Sequence, residues 1–264
     1  MRLYRPSDLE AVQRITTAAY GHPMSPGMEA RLWIDAGNAL VGERDGVAAG
    51  FVMASNYGGV AYVASMGVDP AHRRAGIARA MMERLVENLE REGVAAMLLD
   101  ATDDGAPLYE SFGFADTDRT CVFERLAGSE TGGGASPIDP DELARALELD
   151  RAACGCDRSN VLRGFARERL AFLAVRGDGY IIAREGSLGP FVSFGVQSAR
   201  SLLEEALTAR PSARRLFIPE SNAAAVNLAQ GHGFSHTRAL RHMVRGRSPF
   251  ARERIFGQAS LGHG

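Results

Sequence analysis

Residues 66–82 read MGVDPAHRRAGIARAMM, and how this stretch is read decides the fold. It starts at the end of an apolar run, VAYVASMGV (60–68), and from His72 it continues as two arginines, one glycine and a series of alanines. From Gly76 to Arg91 the apolar residues Ile77, Met81, Leu85 and Leu89 recur at helical spacing, so the stretch reads as strand, side-chain-poor turn and helix start. A helix start leaves several backbone N–H groups without intrahelical partners, and the helix dipole adds partial positive charge there. Such a place suits phosphate when small residues let it approach the backbone. Ala75, Gly76 and Ala78 keep that approach open, and Arg73 and Arg74 bring charge. On these residues alone, an ordinary helix start with solvated arginines is the simpler account. A phosphate-binding P-loop is excluded because no Gly-Lys-Ser/Thr follows, and only one glycine of the dinucleotide fingerprint is present.

Working outward, the first 126 residues form an ordered series. Leu3–Arg5 is a short strand, and Ser7 caps a helix to about Ala19, with Glu10 completing a capping box. A second helix covers about 27–36. NALVGERD, VAAGFVMASNY and VAYVASMGV are β-type runs separated by the hairpin dipeptides Asp45-Gly46 and Gly58-Gly59. After the long helix, AAMLLDA is a buried strand, APLYESF a short helix and RTCVFERL a final strand. The order is β-α-α-β-β-β-α-β-α-β.

Beyond it, LAGSETGGGASPIDP has linker composition and suggests a boundary near 127–137. The second half then repeats the ending of the first. APLYESFGF ends at Phe114 and VNLAQGHGF at Phe234, an offset of 120 that sets Leu108 on Leu228 and Gly113 on Gly233. At the same offset the strand AAMLLD falls on ARRLFIPE to within two residues. Such internal similarity argues for duplication of a whole domain, with related domains at 1–126 and 138–264.

Composition agrees with two ordinary domains. The chain has 264 residues, 45% of them hydrophobic. No apolar run approaches the roughly 18 residues of a membrane span, and MRLYRPSDLE lacks a signal-peptide core, so the expected location is cytoplasmic. All 30 basic residues are arginine, which reads as coding bias. The net charge of -2 argues against nucleic-acid binding. Residues 1–126 carry 12 Arg against 18 Asp+Glu, and the remainder 18 against 14, so the halves have opposite signs. Cys121, Cys154 and Cys156 read as reduced structural thiols. The Cys154-Gly-Cys156 spacing does not suit a zinc site, and no metal is expected.

Residues 2–126 resemble the GNAT-family N-acetyltransferases. That family's signature is Arg/Gln-x-x-Gly-x-Gly/Ala after the fourth strand, which Arg73, Gly76 and Ala78 match. LYESFGF resembles its later short helix, and the order of elements agrees. The resemblance implies an α+β fold in which each GNAT-like domain is a mixed, mostly antiparallel twisted sheet flanked by helices. It implies acetyl-CoA as cosubstrate, its pyrophosphate held by the amides from Arg74 through Ala75, Gly76 and Ile77 to Ala78. It further implies that the backbone of Met66 and Val68, flanking Gly67 on a splayed strand, bonds the pantetheine arm and the acetyl carbonyl. Tyr109 falls where the family places a tyrosine that protonates the departing thiolate; the bland alternative is a packing tyrosine with a surface hydroxyl.

The general base is less legible. Asp100 is one candidate, with a capping or turn aspartate as the alternative. His22 and Trp33 fall where the family's acceptor loops lie, although a loop histidine and a core tryptophan are the ordinary readings. At offset 120 the signature falls on Ser193, Val196 and Ser198, and Tyr109 on Ala229, so the second domain reads as a degenerate copy. The whole chain resembles bacterial tandem-GNAT proteins with such a C-terminal domain, as do GCDRSNVL and RERIFG. Asp157 and Arg158 are candidates to line an acceptor cleft, with a helix cap and a salt bridge as the equal alternative. The expected activity is acetyl transfer to a primary amine of a small molecule by direct attack in a ternary complex. A non-catalytic acyl-CoA sensor and a protein lysine acetyltransferase are the rivals, and the oligomeric state is left open.

Overall fold

The computed structural model describes residues 1–22, 24, 38–126, 128, 138–168 and 171–264. The helix expected over 27–36, Trp33 and, apart from Gly128, the linker at 127–137 lie outside the described residues. The chain packs as two units that are not consecutive in sequence. Unit 1 comprises Met1–Leu99, Gly105–Ala115 and Val244–Ser248; unit 2 comprises Asp100–Asp104, Asp116–Met243 and Pro249–Gly264.

In unit 1 the strands β1 (Arg2–Leu3), β2 (Ala39–Arg44), β3 (Val47–Asn56), β4 (Val60–Val68) and, as far as Leu99, β5 (Ala96–Ala101) follow one another across the sheet. The pairings are antiparallel up to β4 and parallel between β4 and β5. The expected hairpins close at Asp45-Gly46 and Gly58-Gly59. Helices α1 (Leu9–Tyr20) and α2 (Ile77–Arg91) cover opposite faces. Alternation along β3 is the reason. Phe51 and Met53 join Val12 and Ile15 of α1 in one core. The other face, at Gly50, lies under Met81 and Ile77 of α2.

The start of α1 differs from expectation. Ser7 sits inside a short 3-10 turn, Pro6–Asp8, and supplies no cap. Asp8 instead accepts the Arg5 N–H at 2.7 Å and two bonds from the Arg2 guanidinium, each 2.7 Å. Arg2 holds the Asp8 carboxyl below its usual range against the opposing effect of burial. An ion pair brought in by β1 thus displaces the local serine cap.

In unit 2, β6 (Ala115–Glu124), β10 (Arg215–Pro219) and β11 (Ser235–Arg245) lie in the order β11-β6-β10. A second sheet holds β7 (Phe172–Arg176), β8 (Gly179–Arg184), β9 (Ser187–Ser193) and β12 (Ile255–Gly257) in the order β12-β9-β8-β7, all antiparallel. Its helices are α4 (Pro140–Cys154), α5 (Ser159–Ala166), α6 (Val196–Ala209) and α7 (Ala223–Gly231), the short α3 (Ala106–Glu110) belonging to unit 1. Leu202 and Leu203 of α6 pack with Ile181, Phe191, Leu216 and Phe256 in its core.

The repeat at offset 120 is visible in backbone hydrogen bonds. After α3, Phe114 N–H donates to the Tyr109 carbonyl at 3.2 Å and Gly113 N–H to Glu110 at 3.0 Å. After α7, Phe234 N–H donates to Ala229 at 3.1 Å and Gly233 N–H to Gln230 at 3.1 Å. Gly113 and Gly233 carry the left-handed φ values, +82° and +79°, that this helix ending requires.

Candidate functional site

The site begins where β4 loses its neighbour. β5 pairs with β4 only along Val60–Tyr62, opposite Ala96–Leu98, and the strands part beyond that point. On the other edge the register with β3 shifts, Val52 facing Met66 and Ala54 facing Val63, so β4 carries one extra residue there. Met66 and Val68 are half-buried within this divergence. Gly67 between them cannot carry a side chain, because a Cβ would come within 2.7 Å of Phe51 Cε1.

The connection from β4 to α2 spans residues 69–76. Asp69 accepts the Ala71 N–H at 3.0 Å and pairs with Arg14, which together hold its carboxyl below the usual range. Arg74 and Gly76 take left-handed φ values of 61° and 77°. Ile77 is buried and anchors the helix start, while Arg73, Arg74, Ala75 and Gly76 are exposed and Ala78 is half-buried. No side chain caps α2 at Gly76, and a Cβ there would meet nothing within 4 Å. The result is a run of exposed amides at the positive end of a helix, flanked by two guanidinium groups. It fits an anionic phosphate ester.

Tyr109 is set on α3 by the helix ending described above, with its ring edge-on to Phe114 at 6.1 Å. Its hydroxyl lies 4.0 Å from Met66 Sδ. Burial pushes the phenol up to about 12, so at neutral pH it is a proton donor.

A residue absent from the sequence reading also arrives here. The Tyr20 hydroxyl, at the end of α1, donates to the Met66 carbonyl, and its ring stacks on His22 with centroids 6.2 Å apart. Tyr20 as a residue is 43% exposed, but enclosure of its hydroxyl end and the neighbouring Tyr109 raise the phenol, against the lowering effect of its bond to Met66. Unit 1 therefore brings Met66, Tyr109, Tyr20 and His22 together. The sequence signal for Tyr20 is only an aromatic residue ending an amphipathic helix.

The remaining candidates serve unit 2. Asp100 has a fully enclosed side chain, accepting from Thr120 at 2.7 Å and Gln258 at 3.3 Å and pairing with His242 Nδ1 at 3.0 Å. Burial raises its carboxyl, but His242, Arg252 and Thr120 outweigh this and hold it below the usual range. A base must reach the amine it deprotonates, and this carboxylate is spent on internal partners. Asp157 accepts the Ser159 N–H at 2.9 Å, an Asx turn just ahead of α5, and pairs with Arg151 at 3.0 Å. Arg158 is buried, binding Asp150 through two bonds of 3.1 and 2.5 Å and the carbonyls of His263 and Gly264 at 3.0 and 2.7 Å. It is committed to unit 2 and lines no open surface.

Among the described residues, unit 2 has no counterpart of the 69–76 connection. Only Phe194 and Gly195 separate β9 from α6. Among the described residues, no group of three His, Cys, Asp or Glu is placed to hold a metal, and no helix is long and apolar enough to cross a membrane.

Comparison with known proteins adds the following. The model of the acetyltransferase (GNAT) family matches residues 9–114, and an acetyltransferase (GNAT) domain model matches residues 146–257. The structure of a candidate acetyltransferase from Pyrococcus horikoshii is 27% identical, with a TM-score of 0.87 over 100% of this chain and 95% of that one. A GCN5-related N-acetyltransferase from Sphaerobacter thermophilus is 20% identical, covering 94% and 96% of the two chains at a TM-score of 0.64. Among curated proteins, the ribosomal protein bS18-alanine N-acetyltransferase of Escherichia coli K12 is 42% identical over 53 residues. That match spans 19% of this chain and 36% of the relative's length.

Proposed function

From a chain that belongs to the GNAT family of acetyltransferases, we propose acetyl-CoA-dependent transfer of an acetyl group to a primary amine of a small molecule. The observation that carries this reading is one arrangement within unit 1. An uncapped helix start beside Arg73 and Arg74 shares that unit with a splayed strand and a protonated phenol over Met66.

Acetyl-CoA supplies an acetyl group activated as a thioester. The amides from Arg74 to Ala78 hold the pyrophosphate, with Arg73 adding charge. The backbone of Met66 and Val68 holds the pantetheine arm and the acetyl carbonyl, and Gly67, with no Cβ, lets that strand lie close to Phe51. Tyr109 delivers its proton to sulfur as the C–S bond breaks, while the new C–N bond forms and the amine sheds a proton to water.

Direct attack in a ternary complex is favoured over an acyl-enzyme. Cys121, Cys154 and Cys156 are all buried. Burial raises each thiol, that of Cys156 to about 12, which leaves little thiolate for nucleophilic attack. On this reading 1–126 is the catalytic domain, 127–137 a linker and 138–264 a degenerate copy.

One observation favours a second acceptor class. The E. coli relative acts on an alanine of a ribosomal protein, which points to a polypeptide α-amine. A free-CoA release assay across small primary amines and a peptide with N-terminal alanine separates the two. Turnover of small amines supports the proposal. Turnover of the peptide alone moves the acceptor to polypeptides, and coenzyme binding without any turnover leaves a sensor.

A further inference from the structure

Met66 lies beyond the last β4–β5 pair, so no β5 N–H reaches that part of β4 through the ladder. Met66 is half-buried, and a backbone carbonyl left without a ladder partner there still needs a donor. The Met66 carbonyl obtains one from Tyr20, 46 residues earlier in the chain. Tyr109, which raises the Tyr20 phenol, has its own hydroxyl 4.0 Å from Met66 Sδ.

We propose that Tyr20 is a positioning residue for the pantetheine arm. It holds the Met66 peptide plane at the splay, so that the strand edge is preset for an amide-bearing chain. This rests on the coenzyme reading above. A carbonyl oxygen has two lone pairs; the Tyr20 hydroxyl takes one, and the other remains for an N–H of the incoming arm. With the peptide plane already fixed, the arm does not have to order it on binding, and preset partners bind more tightly for that reason. Tyr20 acts through Met66 and takes no part in proton transfer.

The test is calorimetry on the full chain with two probes: coenzyme A, and adenosine 3′-phosphate 5′-diphosphate, the nucleotide half that lacks pantetheine. Tyr20→Phe keeps the ring and its stack on His22 and removes only the hydroxyl. Its affinity for coenzyme A is expected to fall about five- to tenfold, the scale of one hydrogen bond, with the nucleotide half binding as in wild type. Tyr109→Phe, as a control, keeps wild-type affinity for both probes. Unchanged affinity for coenzyme A in Tyr20→Phe overturns the inference. So does tighter binding, which would make Tyr20 a competitor for the carbonyl, and so does an equal loss for both probes, which would make its role structural. A wild-type protein that binds neither probe overturns the coenzyme reading itself.

Discussion

Helices α2 and α6 both follow a strand and a glycine, yet different things stand in front of them. Between β4 and α2 the chain spends residues 69–76, and a Cβ on Gly76 would meet open space. Before α6 it spends only Phe194 and Gly195, and the β7–β8 turn stands against the helix start. The Asp178 carbonyl accepts the Phe194 N–H at 3.2 Å. A Cβ on Gly195 would lie 3.1 Å from Asp178 Oδ2, and one on Gly177 would lie 2.9 Å from Ser198 Oγ. Both helices carry the same amides and dipole, but at α6 the chain's own carboxylate and turn occupy the approach. Connection length decides which helix start is left for a ligand.

The most severe way to break this comparison is to cut the chain at the linker. A fragment of residues 1–128 lacks the 244–248 segment of unit 1, and a fragment of 129–264 lacks the 100–104 and 116–128 portions of unit 2. Neither fragment alone is expected to melt cooperatively in calorimetry. A fragment of 1–128 that melts sharply and binds coenzyme A would show that the units do not need their exchanged segments.

Next in size is Gly76→Val. At φ 77° a branched side chain is strained, and it would stand over the amides proposed to hold the pyrophosphate. Coenzyme A affinity should drop by more than about a hundredfold, whereas the wild type should bind one coenzyme per chain by calorimetry. Two equivalent sites would show that the α6 start is open after all.

Tyr109→Phe should lower kcat by roughly 10²-fold with little change in KM for acetyl-CoA or in melting temperature, as loss of a general acid would. Because burial pushes the phenol up to about 12, deprotonation of Tyr109 should impose no falling limb on the wild-type rate below about pH 11. An unaltered kcat under conditions where chemistry limits the rate removes Tyr109 from the mechanism.

The smallest effect is expected at Asp178. Asp178→Asn removes negative charge near the α6 start and should cost about 0.3–1 kcal/mol in urea unfolding, without creating a second coenzyme site. A second equivalent of bound coenzyme would mean that this carboxylate alone had kept the place closed.

Much of unit 1 was legible because its signals are local. Period-2 runs with Asp45-Gly46 and Gly58-Gly59 gave β2, β3 and β4, and the spacing of Ile77, Met81, Leu85 and Leu89 gave α2. The Ser7 cap failed because Arg2, carried in by β1, offers Asp8 a stronger partner than a serine offers a backbone N–H. Asp100 was legible as the end of a buried strand. Its enclosure by Thr120, His242 and Gln258 was not, since these residues come from three separate segments.

The sequence by itself determined what neighbours along the chain determine: where strands turn, where α2 starts, which amides are left without side chains, and that Gly113 and Gly233 end equivalent helices. Only the tertiary structure decided what remote segments bring to those places. Tyr20 reaches Met66 because α1 packs across β3 and β4, and Arg158 turns inward because Asp150 waits in the core. One helix start stays open and the other is covered because a hairpin tip reaches only the second. Backbone geometry follows local sequence, but the freedom of a polar group depends on every segment folded against it.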